Sequence, residues 1–368
     1  MSANGSGPDK TVYIPSMSDH AYALAALMRF LGMKAEVLPP PDEESMTIGL
    51  DLCSGRECLP CFLTTGDLIR RSRLPDFEPE LSVYLMPGSA GPCRFGQYSH
   101  LQREALAKFG LSAVEIISPT TNNSYDGLGP DPGELRKRFW EGAVAVDLLT
   151  KLLHEYRPRE RERGAAEAAY RKGLDAAVDA IERAGGGDAL LDAMSVAADA
   201  FARVATDDSG PRPLIGMIGE VYVRLNGYAN RFVIEQVEAA GGQVSLAGFA
   251  EWQYFSHWHL IDTRRMKRQY REVLKAYVTQ AWMRVHEHKL HDRVAHVLQE
   301  GREPRAARLA RGVRRYYDPS LGGEIVPTLA RAIEYAHEGA CGILNVLPFS
   351  CMPGILSSAM APRLRADL

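Results

Sequence analysis

The residues best suited to chemistry in this 368-residue chain are its cysteines. Cys53, Cys58 and Cys61 fall together in the stretch CSGRECLPCF and make up half of the six thiols. Such a group can be a disulfide knot, a zinc site, an iron–sulfur site, or a coincidence. Six cysteines are too sparse to scaffold a chain of this length, and disulfides are rare in a reducing compartment. A structural zinc site pairs two close Cys or His doublets, whereas only Cys58-x2-Cys61 has doublet spacing and no second CxxC exists. Cys53-x4-Cys58-x2-Cys61 copies the plant-type ferredoxin spacing, with Cys93 as a distant fourth thiol. That match is short, and it leaves out Cys341 and Cys351, which flank the apolar stretch GILNVLPFS. Cys341, at the start of that stretch, also suits a simply buried thiol.

The elements around these residues read as α/β. TVYIP (11–15) is a short β-branched and aromatic run ending at Pro, followed by SDHAYALAALMRFLGM, a helix that Ser18 or Asp19 can cap and Gly32 can close. AEVLP (35–39), LSVYLMP (81–87) and SAVEIISP (112–119) are further strands. Short, nearly continuous apolar strands alternating with helices predict a parallel sheet covered on both faces. Ligands of such sheets sit beyond the carboxyl ends of the strands, which is where the Cys- and Gly-bearing loops fall. From 131 to 206 the apolar spacing becomes helical. TDDSGPRP (206–213) reads as a boundary, and a second α/β unit opens at PLIGMIGEVY. The helix FVIEQVEAAGG, the strand VSLAGF (244–249), long helices over 260–315 and the strand CGILNVLPF complete it. The expected organisation is an N-terminal α/β lobe over 1–130, a helical segment and linker over 131–210, and a C-terminal α/β lobe over 211–368.

Composition narrows the class. The hydrophobic content of 46% and charged content of 24% are those of a globular protein. A net charge of −3 gives no global field toward nucleic acid or membrane. The polar start MSANGSGPDK lacks the apolar core of a signal peptide, and no apolar run is long enough for a membrane span, so the expected compartment is cytoplasmic. The basic run 263–315 reads as a solvated helical face, without the interleaved aromatics of a nucleic-acid platform.

Other side chains fall in or after the site-like loops: Glu57, Arg94, Gln97, Glu220, Arg224 and Asn230. Glu57, Arg94, Glu220 and Arg224 are the candidates for catalysis. An arginine beside a cluster raises its potential and orients an anion, and a carboxylic acid delivers protons. Loop and cap hydrogen bonding is the alternative for each. His257 and His259, in HWH, are expected near a strand-to-helix junction, and His286, His288, His291 and His296 on a helix. No HExxH appears among them.

Several motifs in the same order make the sequence recognisable: GRECLP followed by TTGDL, then YLMPGSAGPCRFGQY, IGEVYVRLNGYANRFVIEQVE and GILNVLPFSCMPG. From about 11 to 357 the chain resembles the 2-hydroxyacyl-CoA dehydratase and double-cubane cluster superfamily. It is most similar to the domain that follows the ATPase in acyl-CoA dehydratase activase-related proteins. The resemblance implies flavodoxin-like (Rossmann-like) parallel-sheet lobes with an oxygen-sensitive cluster in the cleft between them. The ligands it implies are Cys53, Cys58, Cys61, Cys93, Cys341 and Cys351. Six thiolates match the double-cubane [8Fe-9S] form, and a single [4Fe-4S] cubane is the alternative.

By the same resemblance, low-potential electrons come from an ATP-dependent activase that carries its own [4Fe-4S] cluster, and a small-molecule substrate is reduced. A 2-hydroxyacyl-CoA dehydratase-type component and a non-catalytic electron-transfer subunit are the competing functions. A homodimer or a related subunit is allowed. The chain lacks a GxxxxGK[ST] loop, so ATP hydrolysis is expected in the partner. Its short leader before the first strand suggests a stand-alone form of a domain often found fused.

Overall fold

The computed structural model describes residues 9–89, 93–120, 131–207 and 210–368. Part of the MPGSAGPC loop, the extreme N-terminus, and Asp208 and Ser209 of the 206–213 stretch lie outside the described residues. The chain forms two compact units. The first comprises 1–139 with 178–186 and 348–350, and the second comprises 140–177, 187–347 and 351–368.

In the first unit, strand β1 (Thr11–Ile14), helix α1 (His20–Phe30), β2 (Lys34–Val37), α2 (Glu43–Leu52), α3 (Leu59–Ser72), β3 (Ser82–Leu85), α4 (Tyr98–Lys108) and β4 (Glu115–Ile117) follow one another. The sheet is wholly parallel in the order β2-β1-β3-β4, with Val12 facing Ala35 on one side and Val83 on the other. Val12, Val83 and Tyr84 are fully buried, which is why these strands read as continuous apolar runs rather than alternating ones. Asp19 stands at the N-cap of α1 without a side-chain cap bond, and Gly32 closes the helix at φ +84°. The expected strands are all present, each one to five residues shorter than the apolar run that announced it.

Helix α5 (Pro132–Tyr156) begins in the first unit and continues into the second. Helix α6 (Ala165–Ala184) and α7 (Asp188–Ala202) complete the helical stretch expected over 131–206. The second unit then runs β5 (Leu214–Gly219), α8 (Val221–Leu225), α9 (Val233–Ala239), β6 (Gln243–Leu246), α10 (Phe249–Met266), α11 (Tyr270–Val294), α12 (Ala306–Val313), α13 (Ile325–His337), β7 (Gly342–Val346) and α14 (Met352–Asp367). Its sheet is parallel in the order β6-β5-β7, so β5 is central and the chain crosses to one side for β6 and to the other for β7. The carboxyl end of β5 is therefore a topological switch point.

Two expectations are corrected here. HWH does not sit at a strand-to-helix junction but inside α10. The helix starts as early as Phe249 because Asp147 accepts the Phe249 and Ala250 N–H groups at 3.0 and 2.7 Å, capping the first turn from α5. Cys341 is not a buried thiol; it is exposed, ahead of β7. Among the described residues no helix is long and apolar enough to cross a membrane.

Candidate functional site

Helices α2 and α3 of the first unit form a tight pair that presents the Cys53–Cys61 loop. They touch backbone to backbone: a Cβ on Gly49 would lie 2.0 Å from the Phe62 carbonyl oxygen, and one on Gly66 would lie 1.8 Å from that of Ser45. Only glycine permits that approach. The buried Asp67 carboxyl accepts the Ser45 hydroxyl at 2.6 Å, and burial pushes its pKa up to about 7 against the pull of Ser45 and Arg70.

Cys53 ends α2, and Cys58 occupies the N-cap position of α3, with Pro60 in its first turn. The Cys61 N–H donates to the Cys58 carbonyl at 2.9 Å. Cys58 and Cys61 are buried and Cys53 is half-buried. Cys53 and Cys61 are hydrogen-bonded to each other. That bond holds the Cys53 thiol below its usual range and, together with burial, pushes the Cys61 thiol far up. When the pair ionises, Cys53 loses its proton first and its sulfur accepts the Cys61 S–H.

Glu57 fastens this loop from within. Its carboxylate accepts the Ser54 N–H and hydroxyl at 3.0 Å each and the Arg56 N–H at 3.1 Å. Partial burial raises its pKa, but these bonds and its own N–H outweigh burial and leave the carboxyl below its ordinary range. A carboxylate so held is an acceptor rather than a proton donor. Arg94 ties in the second cysteine segment. It stands in the 3-10 turn after Cys93 and donates to the Arg56 carbonyl, to the Ser350 carbonyl at 2.6 Å and to the Ser350 hydroxyl at 3.0 Å. Cys93 is exposed, and its sulfur accepts the Phe95 N–H at 3.5 Å. Gln97 stands at the N-cap of α4. Arg94 thus joins the Cys93 turn to the loop that carries Cys53, Cys58 and Cys61.

The two remaining cysteines do not share a place. Cys341 precedes β7 and its N–H donates to the Leu214 carbonyl at 2.8 Å, at the amino end of the second sheet. Cys351 follows the carboxyl end, buried at the N-cap position of α14. The five-residue strand β7 between them spans about 16 Å at about 3.3 Å per residue.

The carboxyl end of β5 carries a second group of functional side chains. Gly219 holds φ +122° with Val346 so near that a Cβ would lie 1.9 Å from its carbonyl oxygen. Glu220 follows and accepts the Tyr222 and Val223 N–H groups at 3.1 and 2.9 Å. Arg224 is buried and donates to the Gly219 and Gly248 carbonyls at 3.0 and 3.1 Å. Asn230 supports the turn beneath, donating to the Arg224 carbonyl at 3.4 Å and accepting the Val233 N–H at 3.3 Å. The sequence reading missed Glu324, whose carboxyl accepts the Val221 N–H beside Glu220. Burial first, and then the charge of Glu220, push the Glu324 pKa up to about 8. Burial likewise raises Glu220, against the Val223 and Tyr222 N–H groups and Arg224. A glutamate opening the apolar helix EIVPTLARAI, after two glycines, was the available signal.

Among the described residues no three His, Cys, Asp or Glu side chains converge on a point that would hold a single metal ion. A cluster does not require such convergence, because each thiolate binds a different iron. The soft donors, the Cys53–Cys61 pairing and the segment brought in by Arg94 fit a cluster in this respect. No family model matches this chain, and no curated protein and no solved structure matches it either.

Proposed function

We propose that this chain is an iron–sulfur protein that takes low-potential electrons from an ATP-dependent activase and passes them to a small substrate. The observation that supports it best is the Arg94 guanidinium, which joins the Cys93 turn to the Arg56 carbonyl of the Cys53–Cys61 loop. It ties together two segments that carry four of the six thiols. Cys53, Cys58, Cys61 and Cys93 would hold the cluster. When bound, it supplies one-electron transfer at low potential. Four thiols favour a single [4Fe-4S] cluster over the [8Fe-9S] form, which needs more ligands than these two segments offer. Cys341, exposed at the amino end of β7, is the weakest candidate for a fifth or sixth ligand.

The protein's own residues divide the remaining work. The glycine contact between α2 and α3 fixes the spacing of Cys53 and Cys61. Glu57 sets the loop, and Arg94 ties the Cys93 turn to it. The two parallel sheets, in the orders β2-β1-β3-β4 and β6-β5-β7, suit flavodoxin-like lobes. The activase with its own [4Fe-4S] cluster, and the small substrate, follow from the resemblance in sequence.

Anaerobic isolation with iron and sulfide counting tests this. About four irons per chain with matching sulfide is the expected result. About eight would restore the double-cubane form. Stoichiometric zinc, or a Cys53–Cys61 disulfide without iron, would overturn the reading.

A further inference from the structure

The second unit carries a device that the cysteines do not explain. Three successive backbone amides, those of Val221, Tyr222 and Val223, all donate to carboxyl oxygens. Val221 serves Glu324, while Tyr222 and Val223 serve Glu220. Neighbouring amides bring their acceptors together, so two carboxyls from distant parts of the chain stand side by side at the end of the central strand. Two like charges so placed cannot both ionise freely, and a pair of this kind retains a proton.

The surroundings supply too little positive charge to cancel both carboxylates. Arg224 is the cation that acts on both, and it is 2% exposed. Its Nη atoms are engaged by the Gly219 and Gly248 carbonyls, while its Nε is buried with no hydrogen-bond partner among the described residues. Glu251, on α10, also feels Arg224 and is paired mainly with Arg331 of α13, whose Nε lies 3.3 Å from its Oε2. The His259 ring, also from α10, packs on Gly322, two residues before Glu324. Arg331 faces Glu251 and Glu300, so it adds little to the neutralisation of Glu220 and Glu324.

We propose that Glu220 and Glu324 form a proton-sharing carboxyl pair, a built-in proton donor at the switch point of the second sheet, positioned by Arg224. The pair holds one proton at neutral pH and releases it to a polar atom of a small molecule docked beyond β5. The bond broken is the carboxyl O–H, the bond formed joins that proton to the acceptor, and the pair is left doubly ionised until solvent reprotonates it. The pair stands without the iron–sulfur reading; its service as the proton source of a reduction rests on that reading.

The test is a pH titration of side-chain-labelled glutamates by carbon NMR, on the iron-free full-length protein. In the wild type one carboxyl should keep its proton at pH 7, with an apparent pKa about three units above an ordinary glutamate, and Glu324→Gln should remove that signal. Glu220→Gln should move the same signal back toward the ordinary range, because the like charge is gone. That response separates the pair from simple burial, which Glu220→Gln would leave in force. Two carboxyls that are both ionised at pH 7 in the wild type would overturn the proposal, and this reading needs no variant to fold. An elevated signal unmoved by Glu220→Gln would overturn the sharing of the proton. Iron content does not enter either outcome, so failure of the cluster and failure of the pair are distinguishable.

Discussion

The thiol loop of the first unit and the charged interior of the second position reactive groups by opposite means. In the first, the active groups lie on a short loop held by neutral contacts and bonds to backbone: glycine against carbonyl, Glu57 against N–H, Arg94 against C=O. In the second, charge holds charge. Lys151, 6% exposed, pairs with Glu300 at 2.9 Å and Glu303 at 2.5 Å, and Arg331 meets both Glu251 and Glu300. Glu155 accepts the Gln299 and Glu300 N–H groups at 2.8 and 2.7 Å, bringing that loop in. A cavity of about 10 Å³, room for one water, lies among Lys151, Glu287, His291 and Glu303. The contrast teaches that the first site can lose a member without exposing a buried charge, whereas the second cannot.

The largest effect should therefore come from the interior. Lys151→Met removes the cation shared by Glu300 and Glu303; Glu300 keeps Arg331, but the buried Glu303 carboxylate loses its ion-pair partner. Breaking a buried pair from one side costs about 3–5 kcal/mol. Urea unfolding should show that loss, and a change below 1 kcal/mol would mean that water, not Lys151, balances these carboxylates.

Next comes the helix contact. Gly66→Ala puts a methyl where the Ser45 carbonyl stands, so α2 and α3 must separate, at about 2–3 kcal/mol for an overpacked contact. Because this contact spaces Cys53 and Cys61, iron content should fall with stability. Full iron uptake in the Ala variant would show that the loop positions itself.

The thiol loop was legible in the sequence and the charged interior was not, for a physical reason. Cys53, Cys58 and Cys61 lie within one loop, so their spacing survives folding almost unchanged, and the apolar strands around them could be read directly because both faces are buried. Glu324 and Glu251 meet their partners only through the crossovers of the second sheet, and a glutamate near a helix start looks like an ordinary capping residue. The same blindness misplaced HWH: the reach of Asp147 from α5 to the Phe249 N–H starts α10 early, and no local pattern announces a cap supplied from so far away. Arg94 was recognisable as a candidate but not as the bond between two cysteine segments.

Arg94→Ala sharpens the comparison from the other side. Its bonds go to carbonyls and a hydroxyl near the surface, so stability should fall by only about 1–2 kcal/mol. Cluster retention should suffer more, since the Cys93 turn loses its tie to the loop. We expect incomplete iron loading and faster loss to a chelator at wild-type fold content; unchanged retention would separate Cys93 from the site.

The carboxyl pair makes a pH-dependent prediction. Glu324 is raised from an ordinary 4.5 to about 8, so the folded state binds its proton more tightly than the unfolded state does. The stability that this proton contributes is fully present below about pH 4.5 and is lost as pH rises through about 8. Glu324→Gln cannot ionise, so its stability relative to wild type should grow across that window. Parallel curves for the two proteins would mean that Glu324 titrates normally.

The smallest effect should come from Cys341. It is exposed at the amino end of β7, while the site-forming loops of a parallel sheet lie at the carboxyl end. About 16 Å of extended strand separate it from the start of the loop that carries Cys351. Its backbone bond to Leu214 does not depend on the side chain, so Cys341→Ala should change stability by no more than about 0.5 kcal/mol. Iron and sulfide per chain should also match the wild type. Loss of half the iron in Cys341→Ala would instead make this thiol a ligand, and the chain would then bind iron at both ends of β7.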